Sequence, residues 1–250
     1  VADGPTFALA NQKALDGGIT LDQYFDLMGR STNAFSFPHL MMGYYNTAFR
    51  LGHGPFCRRL AEGGACGYIL PDLPVEEYGD LFAESAECGQ ASILLMTPTN
   101  TDQRLAEIGV KAEGFVYAVA RKGVTGSETE LGEELHQFIV RCRQATDLPP
   151  GIGLGLRSGA ELKQMNGRAA HGIVGSGLLL AGAGGGDGLG GGAGGAPSWA
   201  RARSFWSIIT GIGNWFSALI MSSTSSLHPC TSWMLASVAY GLPLVGWHSL

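Results

Sequence analysis

Two glycine pairs carry the most chemistry in this sequence. Gly153-Leu154-Gly155 and Gly175-Ser176-Gly177 each lie at the end of a short apolar run. Glycine has no Cβ, so a bound group can come close to the main chain there, and amides at such a turn donate readily to a phosphate where a helix follows. Strand glycines also mark tight bends or bulges. Two pairs at the ends of successive runs favour the phosphate. Asp3, ahead of Gly4-Pro5, reads by itself as a turn aspartate. Main-chain amides gathered around an ester dianion would hold a phosphate group electrostatically.

Other chemistries are poorly provided for. The five cysteines form no C-x-x-C pair, and the six histidines are never three or four residues apart, so no protein-bound metal is expected. No G-x-S-x-G elbow, P-loop or H-E-x-x-H occurs. A net charge of −5 gives no basic footprint for a nucleic-acid backbone.

The elements that must position these groups repeat up to about residue 180. Apolar, β-prone runs recur at Leu40–Tyr45, Gly67–Leu73, Ala91–Met96, Gly114–Val119, Gly151–Leu156 and His171–Ser176. Amphipathic stretches lie between them. In Glu128–Arg143 the residues Leu131, Leu135, Phe138, Ile139 and Cys142 fall at helical spacing, and Val75–Cys88 reads in the same way. Strand then helix, repeated, means parallel strands covered on both faces, in a doubly wound or barrel α/β fold. Each run exits into polar, Gly or Pro positions: Tyr45-Asn46, Pro71-Asp72-Leu73-Pro74, Thr97-Pro98-Thr99-Asn100, Arg121 to Gly126, Arg157-Ser158 and Gly175-Ser176. In a barrel the site sits at that end of the strands.

After residue 180 the composition changes. Ten of the fourteen residues from Gly182 to Gly195 are glycine, and Ser204 to Leu250 contains no Asp, Glu, Lys or Arg. The glycine run costs too much backbone entropy for helix or strand and reads as a flexible linker. Three parts follow: a barrel-like domain over 1–180, a linker over 181–203, and an uncharged apolar tail over 204–250 expected to be irregular or poorly packed. The alternative for the tail is a membrane hairpin, since Ser204–Met221 approaches the length that crosses a bilayer.

Several segments, taken together and in order, resemble the tryptophan synthase alpha chain. They are Ala2-Asp3-Gly4-Pro5-Thr6, Met42-Gly43-Tyr44-Tyr45-Asn46, Pro71-Asp72-Leu73-Pro74-Val75-Glu76-Glu77, Arg121-Lys122-Gly123-Val124-Thr125-Gly126 with Tyr117 upstream, Gly151 to Gly155, and Gly175-Ser176-Gly177. The resemblance covers about residues 1 to 180. It implies an α/β fold, a TIM (β/α)8 barrel with six of its eight strands present. The implied reaction is retro-aldol cleavage of indole-3-glycerol phosphate into indole and glyceraldehyde 3-phosphate, in tryptophan biosynthesis. It implies no cofactor in this chain, pyridoxal phosphate being carried by a partner beta chain, and a cytoplasmic or plastid location. Carried over by position, Asp3 matches the catalytic aspartate that holds the indole N–H, and Tyr117 the tyrosine beside the substrate. Met42, Ile69 and Leu154 match residues enclosing indole, and Thr125 a loop threonine that orders the aspartate. Gly126, Gly155, Gly175 and Ser176 match phosphate-binding positions. Asn46, Asp72 and Pro74 match the face toward the beta chain.

The pattern is incomplete. The family's other catalytic carboxylate, a glutamate, precedes the segment that opens this sequence, together with the first two strands. The last helix is replaced by the glycine run. The expectation is therefore an impaired lyase whose six parallel strands leave two unpaired edges. The alternative is a non-catalytic phosphate-binding or beta-chain-binding module.

Overall fold

The computed structural model describes residues 5–35, 37–119, 128–153, 171–174, 206–212 and 217–222. Among them, eight strands form a closed barrel in the order β1-β2-β3-β4-β5-β6-β8-β7. The first six are β1 (His39–Gly43), β2 (Ala65–Ile69), β3 (Ala91–Met96), β4 (Val116–Val119), β5 (Pro150–Gly153) and β6 (His171–Val174). Consecutive members pair in parallel, as the repeating strand-then-helix pattern requires.

Strand alternation sorts their side chains into two shells. Met41, Tyr68, Leu70, Leu94, Met96, Val116, Ala118 and Ile152 point outward and share a buried cluster with the helices. The helices supply Tyr24, Phe25 and Met28 from α2 (Leu21–Ala34), and Phe56, Cys57 and Leu60 from α4 (His53–Glu62). Leu105 and Ile108 come from α6 (Asp102–Lys111), and Phe138, Ile139 and Cys142 from α7 (Glu128–Ala145). The alternate positions Leu40, Met42, Ile69, Ile93 and Ile173 are equally buried, lie outside that cluster and fill the barrel interior. Three further elements complete the described α-helices: α1 (Pro5–Asp16), α3 (Tyr45–Leu51) and α5 (Leu81–Glu87).

Local chemistry sets the boundaries. Thr20 and Gln23 form a capping box on α2, each side chain bonded to the other's amide at 3.2 and 2.8 Å. Thr101 caps α6 through Arg104 N at 3.2 Å. The stretch Val75–Cys88, expected as one helix, is a 3-10 turn (Val75–Tyr78) followed by α5; Gly79, at φ +50°, breaks it.

The link from α2 to β1 is held by stacked Phe35, Phe37 and His39. His39 is buried, with Nδ1 2.9 Å from the Phe37 carbonyl and Nε2 2.9 Å from the Ser31 hydroxyl. A carbonyl only accepts, so Nδ1 carries the proton and the Ser31 hydroxyl donates to Nε2.

The barrel differs from the expected six strands with open edges. Part of the segment read as an irregular tail forms β7 (Trp206–Ile212) and β8 (Ser217–Ser222), which close it. β7 runs parallel to β1, with Met42 beside Gly211 and Gly43 beside Ile212. β8 is antiparallel to both β7 and β6. The physical reason is the pair of main-chain edges on β1 and β6, whose amides and carbonyls an uncharged, β-prone hairpin satisfies. The linker, residues 181–203, and the remainder of the tail, 223–250, lie outside the described residues.

Candidate active site

The C-terminal ends of β1 to β4 bring an apolar layer together inside the barrel. Met42 of β1 is in register with Ile69 of β2, and Ile69 with Ile93 of β3; one residue pair higher, Leu95 of β3 faces Tyr117 of β4. Met42 and Ile69 are buried and Tyr117 is half-buried. Three residues expected to line a substrate cavity thus lie on one inward face. Leu95 belongs with them and was missed; its signal is its position, two residues beyond Ile93 on the same face of β3.

Tyr117 is held by the neighbouring strand. A Cβ built on Gly153 of β5 would stand 2.6 Å from the Tyr117 Oη and 2.8 to 2.9 Å from its ring carbons. Only glycine leaves the phenol that space. Gly151 does the same for Phe115, whose ring carbons lie 3.0 Å from the built Cβ. Burial pushes the Tyr117 phenol up to about 12, so it remains a neutral hydrogen-bond donor at physiological pH. The glycine read as room for a phosphate is, at position 153, room for an aromatic ring.

Asp3, Thr125, Gly126, Leu154, Gly155, Gly175 and Ser176 lie outside the described residues. β4, β5 and β6 are neighbours in the barrel; β5 stops at Gly153, next to Leu154, and β6 at Val174, next to Gly175. Three adjacent strands therefore lead into the three glycine-bearing segments.

Around the outside of this end, polar ties join successive units. The Tyr45 amide, at the start of α3, donates to both Asp72 carboxylate oxygens at 2.9 and 3.1 Å, joining the exits of β1 and β2. Arg104 of α6 donates to Glu76 in the 3-10 turn at 2.7 Å. Arg141 of α7 donates to Asp102 at 2.7 Å and to the Pro98 carbonyl at 3.2 Å. Asn46, Asp72 and Pro74 are exposed on this rim, and Asp72 ties to the residue before Asn46. Phe49 of α3, 70% exposed, adds an apolar side chain. It was not singled out, since an isolated Phe in a short helix carries no exposure signal. No group of three or more His, Cys, Asp and Glu that could hold a metal ion occurs among the described residues.

Comparison with known proteins places this geometry. Residues 1–181 match the family described as tryptophan synthase alpha chain. The tryptophan synthase alpha chain of Syntrophotalea carbinolica is 40% identical over 176 residues, covering 70% of each chain. A structure of Mycobacterium tuberculosis tryptophan synthase superimposes with a TM-score of 0.66 at 36% identity, over 73% of this chain and 70% of that one. The tryptophan synthase complex of Pyrococcus furiosus gives 0.59 at 25% identity, over 66% and 65%.

Proposed function

The chain belongs to the tryptophan synthase alpha chain family, whose members are lyases of tryptophan biosynthesis, and from that premise we propose that its barrel binds indole-3-glycerol phosphate and cleaves it to indole and glyceraldehyde 3-phosphate, slowly in these 250 residues. The observation that carries the reading is the apolar layer of Met42, Ile69 and Tyr117 at the strand ends, with Tyr117 seated over Gly153. A flat aromatic substrate suits such a layer.

The reaction breaks the bond between the indole ring and the glycerol chain. The ring carbon gains a proton, the adjacent glycerol hydroxyl loses one and becomes the aldehyde, and the ring nitrogen carries positive charge in between. In this reading Asp3 stabilises that nitrogen through its N–H, with Thr125 ordering Asp3, and Leu154 completes the apolar enclosure. The amides of Gly126, Gly155, Gly175 and Ser176 hold the phosphate.

Among the described residues, the barrel between β6 and β1 is closed by β7 and β8, whose sequences contain no Asp, Glu, His, Lys or Arg. Loss of one positioned acid–base group costs about 10²–10⁴ in rate. Indole release from indole-3-glycerol phosphate by the 250-residue chain is expected to fall short of complete family members by that factor. Release at their rate would contradict the reading. The same absence favours the second reading, a module that grips a phosphate ester or docks on a partner without turnover; substrate binding by calorimetry with no product formed would select it.

The proposed partner is a beta chain, which would carry the pyridoxal phosphate, this chain needing no cofactor of its own. Exposed Asn46, Asp72 and Pro74 with Phe49 support a docking face on the β1 and β2 exits. Among the described residues no helix is long and apolar enough to cross a membrane. Bacterial relatives such as the S. carbinolica chain support a cytoplasmic setting.

A further inference from the structure

Tyr45, His53 and Asp80 form a hydrogen-bonded line that the lyase chemistry does not use. Tyr45 begins α3 and His53 begins α4; Gly52 between them, at φ +84°, makes the turn that folds one helix back on the other. The His53 ring packs against the Tyr45 ring at 5.8 Å between centroids, and its Nε2 stands 3.0 Å from the Tyr45 hydroxyl. On the other side, Nδ1 lies 2.5 Å from an Asp80 carboxylate oxygen. The carboxylate can only accept, so Nδ1 bears the proton and neutral His53 turns a bare Nε2 toward the phenol. A hydroxyl, a base within hydrogen-bond reach and a carboxylate orienting that base constitute the arrangement that activates nucleophiles. Tyr45 is half-buried and the His53 side chain 15% exposed, so both rings are held in place and neither is sealed from solvent.

We propose that Tyr45 is a nucleophilic tyrosine, with His53 its general base and Asp80 the carboxylate positioning that base, and that the site accepts acyl groups from activated esters. The phenol oxygen attacks the acyl carbon and forms the new ester bond as the bond to the leaving alkoxide or phenolate breaks. The phenol proton passes to His53 Nε2, whose imidazolium faces Asp80, and then to water. The leaving group departs with its electron pair, and nothing is oxidised or reduced. The product is an O-acyl tyrosine at position 45.

The reaction needs His53 Nε2 free of a proton, so that it can accept the one the phenol gives up. The charges facing the group are Asp80 before α5, Asp72 on the Tyr45 amide, and Glu84 and Arg58, which approach Gly54 beside His53.

The test uses the full chain and p-nitrophenyl acetate, with the acetyl group located by peptide mass spectrometry. The reference is N-acetyltyrosinamide in the same solution, a phenol with no neighbouring base. Acetylation of Tyr45 should outpace that of the reference by about a hundredfold, the scale of general-base assistance, and His53→Gln should erase the difference. Asp80→Asn should lower the rate by a smaller factor, with fold checked by circular dichroism. A comparison across pH needs no variant: a Tyr45 advantage over the reference that is lost in acid supports the proposal, and one that persists there overturns it. Rates at Tyr45 and the reference within about threefold of each other, or a Tyr45 rate indifferent to His53→Gln, overturn it. None of these readings depends on indole release.

Discussion

Tyr117 and Gly153 show how little room a single position leaves. Gly153→Ala would set a methyl group 2.6 Å from the phenol oxygen, so the ring must swing out of the apolar layer. We expect a stability loss of about 1–3 kcal/mol in urea denaturation, the usual result of overpacking. Substrate affinity should fall with it, measured by calorimetry with indole-3-glycerol phosphate. Tyr117 was legible through its family context, whereas the purpose of Gly153 was not: a glycine in a strand looks the same whether it admits a ligand or a neighbour's ring. His39 gives a second residue-scale prediction. Burial holds its pKa below the ordinary value, against the opposing pull of the Phe37 carbonyl. The unfolded chain therefore takes up a proton near its ordinary value of about 6.5 while the folded chain does not. Stability is full above that pH and declines below it. Melting curves should show a loss between pH 7.5 and 5 that His39→Gln diminishes.

Elements were read well where periodicity was long and poorly where one residue interrupts it. All six parallel strands fall within or beside the expected runs, and Glu128–Ala145 extends the expected helix by two residues. Gly79 is what divides Val75–Cys88, and a lone glycine in a helical pattern does not reveal whether it will adopt positive φ. The hairpin was missed for a different reason. Its strands run together as one apolar stretch, without the alternation that marks a half-buried strand, although Gly213-Asn214 at its centre is a hairpin signal. At this scale the cap on α2 is the simplest test. Thr20→Ala removes the bond to the Gln23 amide and should cost about 1 kcal/mol, seen as a lower urea midpoint with an unchanged slope. Docking belongs here too. Asp72→Ala releases the first turn of α3, and binding to a beta chain should weaken about tenfold by calorimetry, the factor that about 1.4 kcal/mol supplies.

For the whole molecule, closure is the property at stake. A chain ending at Leu180 would lose β7 and β8 and leave β1 and β6 with unpaired edges. Its thermal midpoint should drop by about 10 °C, as some 3–5 kcal/mol would produce at this size, and it should self-associate on a sizing column. A monodisperse truncated chain with an unaltered midpoint would mean that the hairpin contributes nothing to closure. Composition could not foretell this, because an uncharged segment beyond a glycine run carries no mark of the partner strands it will find; only the two bare edges ask for it.

The pairing of Met42 with Gly211 has one more outcome. Position 211 shares a register level with a residue of the apolar lining, and it holds the smallest side chain available. A closure made by a hairpin is thus also a place where acidity can be grafted. Gly211→Glu would add a carboxyl group at that register level in one codon, and a measurable gain in indole formation would show the added acid acting from the barrel wall.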